Sequence, residues 1–272
     1  MSDFKEISDV FERVIGEVSI DENLLLKADI LIGNCDPLDL DVKWFKELLR
    51  ELEYYSTLKV EGEEVWIHSL DPCHISMKIR KIDLPDELKM EDGVWRAEVL
   101  YTRWNEIKRM KFIKRVHEKG FSIYGILEDK FIEIVRFVRG GELLAQPNVE
   151  LKAMVEVPVR VLKGFYRDIT QCLEAERACF EVNQNGFRVS ATDVYGPYSL
   201  AYVIDRFSPD LIDFRWPGED QRSVYNMVIL MKDFLRYYRD DDLVIIEFTT
   251  DLPMRVRIDG TEDVFWLAPY ME

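Results

Sequence analysis

The chain has 272 residues, a formal net charge of −16, 47% apolar residues and 32% charged residues. That length suits one large or two medium domains with room for a core, and the apolar content excludes a disordered chain. No apolar run approaches the roughly 20 residues that cross a bilayer as a helix, so no membrane partner is expected.

The first ten residues, MSDFKEISDV, lack the basic and apolar regions of a secretory signal. Residues 1–26 instead predict a helical extension. Phe4, Ile7, Val10, Phe11 and Val14 recur at helical spacing, and Asp9 with Glu12 fits a capping box. Such an apolar stripe predicts docking, either on the chain's own body or on another subunit or partner. Four later segments predict helices: 42–55, 101–119, 158–172 and 222–239. The first carries Phe45, Leu48, Leu49 and Leu52 on one face, and the third carries Leu162, Phe165, Tyr166 and Ile169 after Pro158. The fourth has Val224, Val228, Met231, Leu235 and Tyr238 along one stripe, while 101–119 is a less regular amphipath. Between them, alternating or β-rich runs predict strands at 57–61, 64–69, 74–82, 94–100, 121–127, 130–138, 151–157, 178–182, 186–192, 198–204, 211–216, 243–249, 254–259 and 263–268. Asp92-Gly93, Asn185-Gly186 and Asp259-Gly260 are turn signals. The cysteines, Cys35, Cys73, Cys172 and Cys179, have no metal or redox spacing, which predicts reduced thiols in a cytosolic chain.

The order of elements is stated twice. Lys43, Lys46 and Arg50 have the same i, i+3, i+7 spacing as Arg160, Lys163 and Arg167. Aligning them places Phe45 on Leu162, Leu48 on Phe165 and Leu52 on Ile169. With a few inserted residues LKVEGEEVWIHSLD (58–71) falls on FEVNQNGFRVSATD (180–193), and GFSIYGILEDKFIEIV (120–135) on DLVIIEFTTDLPMRVR (242–257). An offset near 120 residues held over three matches indicates duplication. The expected fold class is α+β, with two similar domains in tandem at 27–138 and 151–272, joined by a connector at 139–150.

Charge follows the same organisation. The four helical segments hold 17 basic and 7 acidic side chains, a net +10 in a chain of net −16. Within them Lys43, Lys46 and Arg50, Lys108, Lys111 and Arg115, Arg160, Lys163 and Arg167, and Lys232, Arg236 and Arg239 are the candidate cations for a polyanion. An acidic body repels a polyanion elsewhere, and no base-reading motif is present, so sequence-independent phosphate contacts are expected.

The polar clusters offer no catalytic arrangement. His68, His74 and His117 have no second ligand at metal spacing. The acidic run RDDDL (239–243) sits between a helix and a strand, where acidic loops are ordinary, and neither a phosphate loop nor a nucleophile elbow occurs. Nothing joins a nucleophile, a base and an orienting group. No enzyme activity, cofactor or metal is expected.

Several stretches carry a family resemblance. VEVPVRVLKGFYRDI (155–169), ACFEVNQNGFRVSATDVYGPYSLAYV (178–203), LDPCHISMKI (70–79) and FWLAPYME (265–272) resemble, in order and spacing, motifs of the sliding-clamp family of archaea and eukaryotes, the proliferating cell nuclear antigens (PCNA). The resemblance covers about 27–272. It implies antiparallel sheets outside, basic helices on a DNA-facing side, and a ring of usually three subunits around duplex DNA. It also implies partners: DNA polymerase, a clamp loader and other proteins that dock by peptide motifs. The docking pocket would be formed by Leu70, His74, Ile75, Met77, Pro253, Ala268, Pro269 and Tyr270, covered by Leu143, Leu144 and Pro147. The expected function is that of a processivity factor in DNA replication and repair, acting in the cytoplasm of an archaeon or the nucleus of a eukaryote. Two departures support an alternative, a divergent paralogue acting as a monomer or heteromer subunit. From Phe137 to Leu151 the chain is more than ten residues shorter than is usual in a region that supplies an edge strand between subunits. Residues 1–26 have no counterpart in most clamps.

Overall fold

The computed structural model describes residues 22–52, 55–71, 73, 75–128, 130–193 and 196–270. The apolar stripe and capping box expected within 1–21, and His74, lie outside the described residues. In chain order the elements are α1 (Glu22–Ile32), β1 (Cys35–Leu38), α2 (Val42–Glu51), β2 (Tyr55–Glu61), β3 (Glu64–Leu70), β4 (Ser76–Ile82), β5 (Gly93–Val99), α3 (Trp104–Ile107), β6 (Lys111–His117), β7 (Gly120–Leu127) and β8 (Lys130–Arg139). There follow β9 (Ala153–Pro158), α4 (Val159–Cys172), β10 (Arg177–Asn183), β11 (Gly186–Thr192), β12 (Ser199–Asp205), β13 (Asp213–Arg215) and β14 (Gln221–Asn226). A composite helical run spans 227–237, and β15 (Leu243–Phe248), β16 (Met254–Ile258) and β17 (Val264–Leu267) come last.

The described residues fall into two compact units. One combines the stretch ending at Leu49 with Val99–Val138, and the other combines Arg50–Glu98 with the chain from Arg139 onward. In the first unit β1, β6, β7 and β8 follow one another as antiparallel neighbours. Helix α1 lays Leu24 and Ala28 against Cys35, Ile113, Tyr124 and Ile126, and Phe45 of α2 meets Phe112 edge-on at 5.0 Å. Burial pushes the Cys35 thiol up to about 11, an inert packed cysteine.

In the second unit one run of neighbours is β5-β2-β3-β4-β17-β16-β15-β9-β13, and a separate sheet has the order β14-β10-β11-β12. Helix α4 supplies Leu162, Phe165 and Ile169 to a core with Phe180, Phe187, Tyr225 and Phe248. The repeat expected from the sequence is visible here. The runs β5-β2-β3-β4 and β14-β10-β11-β12 have the same antiparallel connectivity, and each follows a basic helix, α2 or α4. The two runs differ at one end. The far edge of β4 is filled by β17, with Val264 opposite Ile79 and Leu267 opposite Ser76, whereas β12 ends its sheet.

The Asn185-Gly186 turn joins β10 to β11, and Gly186 has φ +140°. A Cβ there would strike the Ile204 carbonyl oxygen and lie 2.9 Å from the Arg206 nitrogen, both backbone atoms that cannot swing away. Gly186→Ala is therefore expected to cost about 2 kcal/mol. Urea unfolding measures it, and an unchanged midpoint would contradict the assigned strain.

Two expected helices are corrected. Within 101–119 only Trp104–Ile107 is helical, and Lys111–His117 is strand β6. Here Phe112 and Ile113 are buried, and the strand is held on both sides by β1 and β7, so pairing overrides the irregular amphipathic pattern. Within 222–239 the first residues belong to β14, where Tyr225 is fully buried opposite Ala178. Helix begins only after Asn226, whose side chain accepts from the Ile229 N–H, and it passes through a π segment (Leu230–Phe234) into a 3-10 turn (Leu235–Tyr237). Strands β6 and β14 and the short β1 were not expected from the sequence. The fourteen expected strands are all present, with ends shifted by one or two residues.

Candidate functional site

The candidate cations sort by element. On α4 the buried residues Leu162, Phe165 and Ile169 define one face, and Arg160, Lys163 and Arg167 fall on another, at the i, i+3, i+7 spacing read from the sequence. All three line an open cleft of about 860 Å³ with Gly164, Tyr202, Ser208, Asp210 and Asp240. Each cation has a carboxylate beside it. Arg160 donates to Asp210 at 2.7 Å and to Asp241 at 3.2 Å. Lys163 donates to Asp240 at 3.0 Å and to the Tyr238 carbonyl at 2.7 Å, and the Arg167 Nε lies 3.5 Å from Asp168. The Tyr202 hydroxyl donates to Asp168 across the cleft, and that bond, aided by Arg167, holds the Asp168 carboxyl below the usual range. The run RDDDL thus has a structural role: Asp240 and Asp241 face α4, and Asp242 accepts from the Arg239 N–H at 2.6 Å. No group of three or more His, Cys, Asp or Glu side chains suited to a metal occurs among the described residues.

The other candidates are placed differently. Lys43 on α2 is exposed, and Lys46 and Arg50 are half-buried. Lys108 sits in the turn after α3, while Lys111 and Arg115 are strand residues, which corrects their placement on a helix. Lys232 is exposed in the π segment, and Arg239 lies beyond the helical run. Arg236 stacks over the Tyr237 ring at 4.5 Å, so it belongs partly to a packed cluster. The π segment also breaks the 3.6-residue phase on which the grouping of Lys232, Arg236 and Arg239 rested.

That cluster was missed by sequence reasoning. Glu51 is 4% exposed and Lys78 6% exposed, and they form a direct ion pair. Arg80 reaches Glu51 at 3.4 Å and stacks over Tyr237 at 4.2 Å, and Tyr238 donates to the buried Asp263. Burial pushes the Glu51 carboxyl up, but Lys78, the Tyr237 hydroxyl and Arg80 outweigh it and hold it below the usual range. Burial, with Glu51 alongside, pushes Tyr237 up to about 12. Its members come from α2, β4, the helical run and the loop before β17, so no local pattern marks them.

The expected peptide pocket divides into two parts. Leu70, Met77 and Leu144 pack together with Trp66, Ile79, Val149, Leu151, Val264 and Trp266, and the Trp266 indole donates to Gln146 at 3.2 Å. The connector is therefore seated on this sheet, with Leu143 and Pro147 half-buried beside it. The second part is more open: Ile75 is 38% exposed and Tyr270 44% exposed, with Pro253, Ala268 and Pro269 half-buried. The Ala268 N–H donates to the Ile75 carbonyl at 2.7 Å, the Tyr270 N–H to the Val224 carbonyl at 2.7 Å, and Arg177 stacks on the Tyr270 ring. Trp66, Gln146 and Trp266 were absent from the sequence-based set. Trp266, next to the Leu-Ala-Pro ending, was the one with a usable signal.

Neither a family model nor a curated protein matches the chain. Solved structures do. PCNA from Thermococcus kodakaraensis is similar with a TM-score of 0.58 and 17% identity, over 87% of this chain and all of that one. A. fulgidus PCNA, solved with the C-terminal region of FEN-1 bound, gives 0.56 and 17% over 85% and 95% of the two chains. A PCNA2–PCNA3 complex from Sulfolobus tokodaii gives 0.54 and 17% over 86% and 98%. The chain has a PCNA-like sliding-clamp fold.

Proposed function

We propose that the chain is a non-enzymatic clamp subunit that encircles duplex DNA through phosphate contacts and tethers replication and repair enzymes carrying docking peptides. The observation that carries this reading is the clamp fold itself, which extends over 87% of the chain and positions a cation-bearing helix ahead of each four-stranded repeat. Phosphate contacts without base readout suit sliding, because tight or specific contacts would stall it. Tethering then works through effective concentration instead of affinity. Ile75, Pro253, Ala268, Pro269 and Tyr270 form the accessible part of the docking surface in this proposal, and the tandem domains are those bounded by 27–138 and 151–272. Changing Lys43, Lys46 and Lys232 to Glu is expected to abolish stimulation of a cognate polymerase with the fold intact by circular dichroism. Undiminished stimulation would remove the DNA-facing assignment.

A second reading is favoured by the unequal repeat edges. The edge of β4 is filled by β17, the equivalent edge of β12 has no strand beside it among the described residues, and no strand forms between Arg139 and Ala153. A chain that accepts a strand at β12 without offering one in return would act as a monomer or a heteromer subunit. Light scattering separates the readings. A stable species near three times 32.2 kDa favours the ring, and a persistent monomer favours the second.

A further inference from the structure

We propose that Asp210, Asp240 and Asp241 act as built-in occupants of the α4 cationic face and set how weakly it holds a polyanion. The inference deepens the DNA reading and rests on it for the identity of the ligand, though not for the masking itself. Arg160, Lys163 and Arg167 are the cations that the described geometry brings to one cleft; Asp210 and Asp240 line it with them, and Asp241 reaches Arg160 at 3.2 Å. They arrive from two separate loops, one after β12 and one after the helical run, so the pairing is a feature of the tertiary fold and not of the helix. The loop is also anchored through its backbone: the Asp240 carbonyl accepts from the Arg160 N–H at 2.9 Å and the Asp242 carbonyl from the Val159 N–H at 2.8 Å, which fixes the loop at the start of α4 whatever the side chains at 240 and 241 are.

Two physical consequences follow. A phosphate arriving at Arg160 or Lys163 must displace a carboxylate already there, so much of its attraction is cancelled. The Asp241 side chain is 95% exposed and that of Asp240 69%, so these pairs are weak individually and can be exchanged for a better anion. A face of this kind binds loosely and releases quickly. The same loop disfavours adventitious small anions that bring too little charge to displace it.

The test is titration of a fluorescent 25-base-pair duplex and, separately, heparin against the full chain and its Asp240→Asn/Asp241→Asn variant. Melting temperatures confirm that the exposed substitutions leave the fold in place. The variant is expected to bind both polyanions roughly tenfold more tightly at low salt, with a log–log salt slope steeper by about two, one for each phosphate contact freed. A gain for heparin alone upholds the masking and counts against duplex DNA as the ligand. No gain for either probe overturns the proposal.

Discussion

Glu51→Ala is expected to lower the unfolding free energy by roughly 3–5 kcal/mol, the range for removing one partner of a buried ion pair. The loss comes less from the missing attraction than from what remains. Lys78 is 6% exposed, and without Glu51 its ammonium is buried next to Arg80, a second cation. The exposed pairs on α4 would give under about 1 kcal/mol each when broken. Combining Glu51→Ala with Lys78→Met should recover part of the loss, because the stranded charge is removed as well. Guanidinium unfolding of both variants measures this, and a Glu51→Ala loss under 1 kcal/mol would mean the pair is solvated. The same carboxylate gives the pH dependence a sign. Its folded pKa is depressed, so its contribution is complete above the unfolded value near 4.5 and is lost as pH falls through the folded one. Glu247, pushed up by burial but held down overall by Arg255 and Arg257, acts in the same direction. Stability should therefore fall on acidification below about pH 4.5, and the wild-type fall should exceed that of Glu51→Ala.

Trp266→Ala is expected to cost a similar amount, about 3–5 kcal/mol, because a large side chain that is 4% exposed leaves a cavity. It has a second effect that cavity formation alone would not produce. Leu144, Val149 and Leu151 pack in the cluster containing Trp266, and Gln146 accepts from its indole, so the substitution removes the seat of the connector. Hydrogen exchange across 143–151 should rise much more than exchange in β10 or β11. Equal protection in the two proteins would show that the connector is held by something other than Trp266. Trp266→Phe retains the packing and loses the hydrogen bond, and should fall between the two.

The strands were legible because alternation over six or seven residues is a strong local signal, and a partner on either side only confirms it. Helix α4 was legible for the matching reason: Leu162, Phe165 and Ile169 face one way and the cations another. The segment 101–119 failed because its apolar residues fit both periods. The choice was made by β1 and β7, which local pattern does not contain. In 222–239 the stripe ran through a strand-to-helix junction, and neither Asn226 as a cap nor the π segment leaves a periodic trace. Among the site residues, the spacing of Arg160, Lys163 and Arg167 was readable, but their partners were not. Asp210 lies 50 positions from Arg160 and Asp240 lies 77 from Lys163, distances at which sequence pattern carries no contact information.

The pairing of β4 with β17 has a consequence for how the chain reaches its folded state. Ile79 and its partner Val264 are 185 positions apart. At ordinary rates of synthesis β4 waits on the order of ten to forty seconds on the ribosome before its neighbour exists. Throughout that time its outer backbone groups are open to any other extended segment, the hazard that edge strands carry. Closing so long a loop is also slow once the chain is free. Refolding from denaturant should therefore show early protection in α4 and β10–β11, with β4 and β17 gaining theirs together and last.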